Sequence, residues 1–329
     1  MEKEKVIIDC DPGIDDALAL IYAIKSNKFN ILGITTVSGN VPADEGAVNA
    51  CKILSFLGVN DIPVYVGEQS EVYIDARDTH GENGLGNYSV PCNDDCVDMI
   101  KGDCAVKFII DTVDKNPGEV TIVALGPLTN ISKAINRKDT FLDNVKEIVS
   151  MGGTFRAPGN CTPVSEYNYW CDPYSAKVVY MRLAHAWEDS GCCYSPKIYM
   201  VGLDVTRKIV LTHDDVKKIK ELNPKVGELV EGITNFYFDF HKKQEDLDGC
   251  VINDPVAIFY ALTSGWYFID NKYYVDIINL PDDDHDGSAV RGMVLVDANK
   301  IYRCKPNAIV ALDVDVACFW DSFISTITK

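Results

Sequence analysis

The sequence predicts an α/β fold in which helices flank an open, mostly parallel β-sheet. Short apolar runs rich in Val and Ile alternate along the chain with longer segments of helical period. Such alternation forms right-handed βαβ units, and their parallel sheet binds ligands at the carboxyl ends of its strands. We therefore predict a Rossmann-like sheet with additional strands and helices towards the C-terminus.

The first element is a short apolar strand over residues 6–9 that leads into an acidic turn and then into a helix over residues 17–24. The turn and the helix start carry four carboxylates, those of Asp9, Asp11, Asp15 and Asp16. Taken singly, an aspartate at a helix start is usually structural. Four together need a counter-charge, and a hard cation bound through oxygen would supply it.

Two further strands and a helix continue the alternation. Residues 31–37 predict a buried strand, and Asn40 follows its end as Asp11 follows the first strand. Residues 43–57 are helical by period, and residues 63–66 form a short strand.

A polar stretch over residues 71–99 predicts a long loop. Loops of this length in a compact domain are usually functional or disordered, which makes His80 a candidate lid residue. A plain surface histidine fits the spacing equally well.

The middle of the chain continues with a helix over residues 103–114 and strands over residues 120–125 and 145–151. The turn after the first of these strands contains Gly and Pro, and it exposes the backbone carbonyl of Leu125 towards the sheet edge where Asp11 lies.

Polar side chains follow the strand that ends at residue 151. We expect Glu166 and Asn168 to share one side of an extended segment, near Asn160. Such a group of donors and acceptors suits a polyhydroxyl ligand. The alternative is an ordinary turn rich in asparagine.

The second half of the chain begins with a helix over residues 174–186 and a surface loop over residues 188–197. The remaining predicted elements are strands over 197–203, 273–279, 292–296 and 308–314 and helices over 214–222, 226–243, 256–262 and 319–327. The helix over 226–243 carries an aromatic stripe that includes Tyr237, usually a core feature, and His241. Asp254 lies at the start of the next predicted helix and is followed by a proline. We expect the acidic residues 281–286 to form a solvated turn.

Composition limits the classes of function. The 329 residues carry a formal net charge of −18, which argues against nucleic-acid and anionic-membrane partners. We find no signal peptide and no membrane-spanning run, so we expect a cytoplasmic protein in which residues 1–329 form one domain. The 12 cysteines are expected to be reduced thiols, with zinc at Cys92, Cys96 and Cys104 as an alternative.

With these residues assembled, the chain resembles the inosine–uridine-preferring nucleoside hydrolase family from residue 6 to its C-terminus. The resemblance rests on the run from Asp9 to Asp16, on the Thr-Val-Ser-Gly-Asn segment that ends at Asn40, on His80-Gly81, and on Leu125-Gly-Pro-Leu-Thr-Asn. Met151-Gly-Gly and the segment from Gly159 through Glu166-Tyr-Asn168 to Asp172-Pro complete it.

The resemblance implies a hydrolase that cleaves the N-glycosidic bond of ribonucleosides, with calcium bound at the sheet edge. The implied calcium ligands are Asp11, Asp16, the Leu125 carbonyl and Asp254. Asp11 would also act as general base on water. The implied ribose contacts are Asp15, Asn40, Met151, Asn160, Glu166 and Asn168. The resemblance further suggests a homodimer or homotetramer.

The chain departs from the family pattern at the leaving-group side. Nonspecific members carry a histidine before the calcium-binding aspartate, whereas this chain has Asn253 before Asp254. Asparagine cannot deliver a proton as imidazolium can. We therefore expect His241, or His80, to act as the acid, Tyr237 to take part in base choice, and the substrate range to be broad or to favour purines.

Two readings from other classes compete with this one. A haloacid-dehalogenase-type phosphatase also places two aspartates one residue apart after its first strand. It gives no role, however, to Pro12-Gly13 or to the 159–168 segment. A nucleoside-binding protein that lost activity through Asn253 is the second alternative.

Overall fold

The computed structural model describes residues 3–69, 76–190, 197–280 and 289–329, with only the backbone for residues 187–190. The strands are β1 Glu4–Cys10, β2 Phe29–Thr36, β3 Val64–Tyr65, β4 Val120–Ala124, β5 Glu147–Met151, β6 Ile198–Val201, β7 Val210–Leu211, β8 Cys250–Val251, β9 Phe268–Tyr273, β10 Val275–Ile277, β11 Val294–Val296 and β12 Ala308–Val314. The acidic turn predicted over 281–286 and most of the loop predicted over 188–197 lie outside the described residues.

The helices alternate with the strands over most of the chain. They are α1 Ile14–Ser26, α2 Ala43–Phe56, α3 Arg77–His80, α4 Ala105–Lys115, α5 Thr129–Arg137, α6 Phe141–Asn144, α7 Tyr167–Cys171, α8 Pro173–Ser190, α9 Leu203–Thr206, α10 His213–Leu222, α11 Pro224–Glu245, α12 Asp254–Thr263 and α13 Val316–Ile327. A 3-10 turn lies at Cys96–Met99. None of the described helices has the length and apolar character needed to cross a bilayer.

The central sheet has eight strands in the order β3-β2-β1-β4-β5-β6-β12-β9. All neighbours pair in parallel except β12 and β9. The chain runs outwards from β1 to β2 and β3 on one side, and returns to β4 on the other. The strand order therefore reverses between β1 and β4, and ligands bind at the carboxyl ends beside such a reversal.

The sheet separates two hydrophobic cores because successive side chains of a strand point to opposite faces. Val6 and Ile8 of β1 belong to the core beneath α1, α2 and α12. Ile7 belongs to the other core, beneath α4, α5 and α8. Burial on both faces explains why the strands read as continuous apolar runs.

The predicted α/β class and mostly parallel sheet are confirmed, and most predicted elements lie within a few residues of the observed ones. The sequence did not predict β9, whose residues from Ile269 to Lys272 are exposed. Asp, Asn and Lys disfavour strands, but they are well tolerated at a sheet edge. The predicted extended segment at 166–168 was wrong: Glu166 caps a helix that begins at Tyr167.

Candidate active site

The acidic turn between β1 and α1 lies at the reversal point of the sheet. Asp9 is the β1 residue that pairs with Thr35 of β2 and Ala124 of β4, so Asp11 emerges just beyond the carboxyl end of the central strand. Asp15 and Asp16 occupy the first turn of α1, whose amino-terminal N–H groups favour negative charge. The predicted convergence of these four carboxylates at one sheet edge is therefore what the topology produces.

Asp11 is buried and is held on one side only. Its Oδ2 accepts the backbone N–H of Asn40 at 2.7 Å, while its Oδ1 has no hydrogen-bond partner among the described residues. Two glycines lie against the carboxylate. A Cβ at Gly39 would stand 2.1 Å from Oδ2, and one at Gly126 would stand 2.5 Å from Oδ1. Only glycine therefore fits at these two positions while Asp11 keeps its place.

Asp16 is fixed by groups on both sides of the turn. Its Oδ1 accepts the N–H of Asp11 at 3.2 Å, and its Oδ2 accepts the N–H of Gly13 and the side-chain amide of Asn40, each at 3.0 Å. Asn40 thus binds both Asp11 and Asp16, through its backbone and its side chain. Asn40, which the sequence places after its strand as Asp11 follows the first strand, therefore contacts Asp11.

Asp9 lies behind the turn. Its Oδ1 accepts the hydroxyl of Thr35 at 2.6 Å and the amide of Asn130 at 2.7 Å. Burial raises the pKa of Asp9 to about 6. Asp9 therefore connects β1 to β2 and to the first turn of α5, which is a structural role.

Asp254, at the start of α12, completes the acidic cluster from the other end of the chain. Oxygen atoms of Asp15, Asp16 and Asp254 lie within 4.8 Å of one another, and all three residues are buried. Among the described residues, no similar group forms around Cys92, Cys96 and Cys104, the alternative zinc site. Two of the implied calcium ligands, Asp16 and Asp254, therefore lie close together, with Asp15 beside them. A third implied ligand, Asp11, contacts Asp16.

Electrostatics show that this cluster needs a positive partner. Burial and the neighbouring Asp16 raise the pKa of Asp11 well above its usual range, and burial with Asp15 raises the pKa of Asp16 to about 7. Burial followed by repulsion from Asp15 and Asp16 raises the pKa of Asp254. The unpartnered Asp11 oxygen, the converging carboxylates and the hard oxygen donors all fit a divalent cation of the calcium type.

A cavity of about 570 Å³ opens above the cluster. Its volume is in the range of small-molecule sites. All of the predicted ribose contacts line it, namely Asp15, Asn40, Met151, Asn160, Glu166 and Asn168. Leu125, Tyr237, Asn253, Asp254 and the two candidate histidines line it as well. Asp11 and Asp16 do not line the cavity and are fully buried beneath it.

Glu166 and Asn168 meet because Glu166 caps α7. The Glu166 carboxylate accepts the N–H groups of Asn168, Tyr169 and Gly153 at 2.8, 3.2 and 2.8 Å. Burial nevertheless raises its pKa to about 7. The capped turn aims the Asn168 amide at the Leu125 carbonyl, to which it donates at 2.6 Å. Leu125 lines the cavity, and its carbonyl already accepts the Asn168 amide.

Asn160 and Tyr167 lie at the rim beside this turn. Asn160 is exposed, and its Oδ1 accepts the Tyr167 N–H at 2.9 Å. The Tyr167 hydroxyl donates to the Gly39 carbonyl at 2.9 Å, which links the 159–168 segment to the loop after β2. Sequence reasoning missed Tyr167 as a cavity residue, although it lies between the two polar residues that were selected.

Asn253, at the position where nonspecific members of the family carry a histidine, binds Asp15. Its backbone N–H and its side-chain amide both donate to Asp15 Oδ2, each at 3.3 Å. Its own Oδ1 is buried without a hydrogen-bond partner in the described part of the chain. Asn253 therefore orients the Asp15 carboxylate and leaves one acceptor unsatisfied beside the cavity.

His80 is anchored rather than loosely placed in a loop. It ends α3, and its Nδ1 accepts the backbone N–H of Ile14 at 3.1 Å, so its proton resides on Nε2. Burial lowers its pKa to about 4. His80 is therefore neutral at neutral pH and offers one N–H donor.

His241 and Tyr237 form the opposite wall of the cavity, on α11. His241 Nδ1 donates to the Tyr237 carbonyl at 3.0 Å, one helical turn back. The Tyr237 ring lies 4.4 Å from the His241 ring and 5.4 Å from the His80 ring. Burial lowers the pKa of His241 as well. The aromatic stripe thus serves both as core and as cavity wall.

Comparison with known proteins agrees with this geometry. The sequence profile described as inosine-uridine preferring nucleoside hydrolase matches residues 6–321. The chain is 37% identical over 259 residues to Uridine nucleosidase 1 of Arabidopsis thaliana, covering 77% of this chain and 72% of that protein. It is 32% identical over 323 residues to the pyrimidine-specific ribonucleoside hydrolase RihB of Escherichia coli, covering 97% and 96%.

A solved structure shares the fold. The purine-preferring ribonucleoside hydrolase from Gardnerella vaginalis superposes with a TM-score of 0.86 at 29% identity, covering 99% of this chain and 98% of that one. The relatives' names thus include preferences for both classes of base.

Proposed function

Because the chain belongs to the inosine-uridine preferring nucleoside hydrolase family, and is a ribonucleoside hydrolase acting on N-glycosyl compounds, we propose that it is calcium-dependent and broad in its choice of base. One observation carries the proposal. The carboxylates of Asp15, Asp16 and Asp254 converge at the floor of a cavity of about 570 Å³ that the ribose-binding candidates line.

The proposed ligands of Ca2+ are Asp11, Asp16, Asp254 and the Leu125 carbonyl. The chemistry of the donor set supports them, since all are hard oxygens and one Asp11 oxygen has no partner among the described residues. Asp15 lies close enough to contribute as well. When bound, a calcium ion would offset the clustered negative charge and make a coordinated water more acidic.

Asp11 is the proposed general base. Its Oδ2 is fixed by the Asn40 N–H, which leaves Oδ1 to accept a proton from the attacking water. The water oxygen then bonds to C1′ of the ribose as the C1′–N bond breaks, and the bonding electron pair stays on the base. Gly39 and Gly126 leave room for the carboxylate, because a Cβ at either position would clash with it.

The ribose-side residues are proposed to stabilise positive charge on the sugar ring. Glycoside cleavage passes through an oxocarbenium-like transition state. Asp15 and Glu166 supply negative charge, Asn40, Asn160 and Asn168 supply amides for the hydroxyls, and Met151 packs against the sugar. Fixed carboxylates favour a cationic transition state over the neutral nucleoside.

His241 is the proposed acid for the leaving base. Its Nδ1 is engaged by the Tyr237 carbonyl, so Nε2 is the atom that would carry the transferred proton. Replacement of His241 by Ala should slow inosine cleavage sharply yet spare p-nitrophenyl riboside, whose leaving group needs no proton. Equal losses with both substrates would rule this role out.

A panel of nucleosides tests the proposed function. We expect release of reducing sugar from inosine, adenosine, guanosine, cytidine and uridine, loss of that release with a chelator, and recovery with calcium. Nucleoside binding without sugar release would favour the binding-protein alternative. The phosphatase alternative is not taken further, because the chain belongs to a family of N-glycosyl hydrolases.

The assembly and location stay predictions. We propose a homodimer or homotetramer in the cytoplasm and a single domain over residues 1–329. The edge strand β9 supports self-association, since Ile269 and the neighbouring Trp266 are 64% and 84% exposed. Sedimentation at several protein concentrations would measure the assembly.

A further inference from the structure

The cavity is lined by several acidic side chains and by one permanent cation. Its acidic residues are Asp15, Asp78, Glu166, Glu245 and Asp254. Arg207 is the only Lys or Arg among the lining residues that the structure describes. The sequence offered no signal for it, because Arg207 belongs to no motif and meets the cavity only through the fold.

Two elements hold Arg207 at the cavity. Arg207 directly follows α9, the short helix that comes after β6. Its Nη2 lies 2.5 Å from Oε2 of Glu245, the last residue of α11. The two side chains are 30% and 29% exposed. Glu245 lies four residues after His241 on α11, so the two side chains share one face of that helix. The ion pair therefore lies on the α11 side of the cavity.

The α11 side is where the base must lie if ribose lies on the acidic floor. Tyr237, Phe240 and His241 line the cavity there, and aromatic rings can pack against a planar base. Burial lowers the pKa of both cavity histidines, so neither is a permanent cation at neutral pH. A base that departs with the bonding electron pair would then meet only one permanent positive charge on that wall, the guanidinium.

We propose that Arg207, oriented by Glu245, contacts the departing base and stabilises its negative charge. The inference rests on the proposed nucleoside hydrolysis. Guanidinium presents five N–H donors in a planar fork, so Arg207 can bind Glu245 and still donate to a carbonyl oxygen of the base. The base then takes a proton from His241, which regains one from solvent, and Asp11 returns to solvent the proton it received from the water.

The test compares leaving groups in Arg207→Met, with Lys208→Met as a matched control. Lys208 is the next residue and forms its own ion pair with Asp313 at 2.7 Å, outside the cavity. For Arg207→Met we expect kcat on uridine and inosine to fall by about 100-fold, the lower end of the loss when one donor to a developing negative charge is removed. On p-nitrophenyl riboside we expect a change of about threefold or less, because that leaving group is stable as an anion. Lys208→Met should match wild type on both substrates.

A second variant tests the role of the partner. Glu245→Gln keeps the side-chain size and leaves Arg207 charged but less firmly held, so we expect a smaller loss on nucleosides, about threefold to tenfold. Equal losses on all substrates in Arg207→Met, or no loss on nucleosides, would overturn the inference. If wild type itself releases no sugar from any nucleoside, the proposed function fails instead, and the two failures are distinguishable.

Discussion

Asp11 shows how one side chain can be both restrained and reactive. A backbone N–H holds its carboxylate and two glycines leave room for it, yet one oxygen has no partner in the described residues. Burial, followed by repulsion from neighbouring carboxylates, raises the pKa values of Asp11 and Asp16. Asp11 therefore lowers the stability of the metal-free protein, while its unpartnered oxygen can take part in the reaction.

Replacement of Asp11 by Asn separates these two effects. Removal of a general base should lower kcat on inosine and uridine by about 10³-fold. In the presence of a chelator, the melting temperature should stay the same or rise, because one buried like charge is gone. A large fall in melting temperature would show that Asp11 supports the fold rather than the reaction.

His80 predicts a pH dependence of stability with a definite sign. Its pKa is lowered by burial to about 4 in the folded protein, against 6.5 for the ordinary side chain. Between these values the unfolded chain binds a proton that the folded chain does not. The contribution to stability is therefore complete above pH 6.5 and is lost as pH falls towards 4.

Replacement of His80 by Asn should remove this contribution. The Asn carbonyl can still accept the Ile14 N–H that Nδ1 accepts in wild type. Urea unfolding across that pH range should show a flatter loss of stability in the variant, by a few kcal/mol in total (about 1.4 kcal/mol per pH unit). Parallel curves for the two proteins would contradict a buried, neutral His80.

At the scale of elements, the turn that begins α7 decides where the ribose-side groups lie. Glu166 accepts three backbone N–H groups, from α7 and from the loop after β5. The sequence predicted Glu166 and Asn168 as ribose contacts on an extended segment; both line the cavity, but Glu166 caps a helix that contains Asn168. A five-residue helix has too few residues to show helical period, so only tertiary contacts reveal it.

Glu166→Gln tests this turn, with Asp297→Asn as its control. Gln keeps one acceptor oxygen and turns an amide donor against backbone N–H groups, so unfolding free energy should fall by about 1–3 kcal/mol. KM for nucleosides should rise by about tenfold, because a ribose contact is lost. Asp297 also accepts two backbone N–H groups, from Ile301 and Tyr302, outside the cavity lining. Its variant should lose stability with KM unchanged; a matching KM rise there would contradict a local role for Glu166.

At the scale of the whole molecule, the cluster joins distant parts of the chain. Asp15 and Asp16 come from the first helix and Asp254 from the twelfth, and α1 packs on α12. The N-terminal motif was predictable from sequence because a strand, a turn and a helix encode it locally. Arg207, Tyr167 and the edge strand β9 were not, because their roles come from contacts between segments far apart in sequence.

Calcium binding should therefore stabilise the whole fold. A ligand at about 100 times its Kd adds about 2.7 kcal/mol to the free energy of unfolding. We expect the melting temperature of chelated protein to rise when calcium is added. Asp254→Asn should abolish most of that rise, since it removes the ligand that links α12 to α1. An equal rise in wild type and variant would place the ion elsewhere.

The most direct test of the central claim is the amount of ribose and free base released from uridine and inosine by wild type and by Asp11→Asn, both saturated with calcium. The account predicts equal amounts of ribose and base from each nucleoside with wild type, and almost none with the variant. It would be contradicted if wild type released neither product from either nucleoside, or if the variant released both at the wild-type rate.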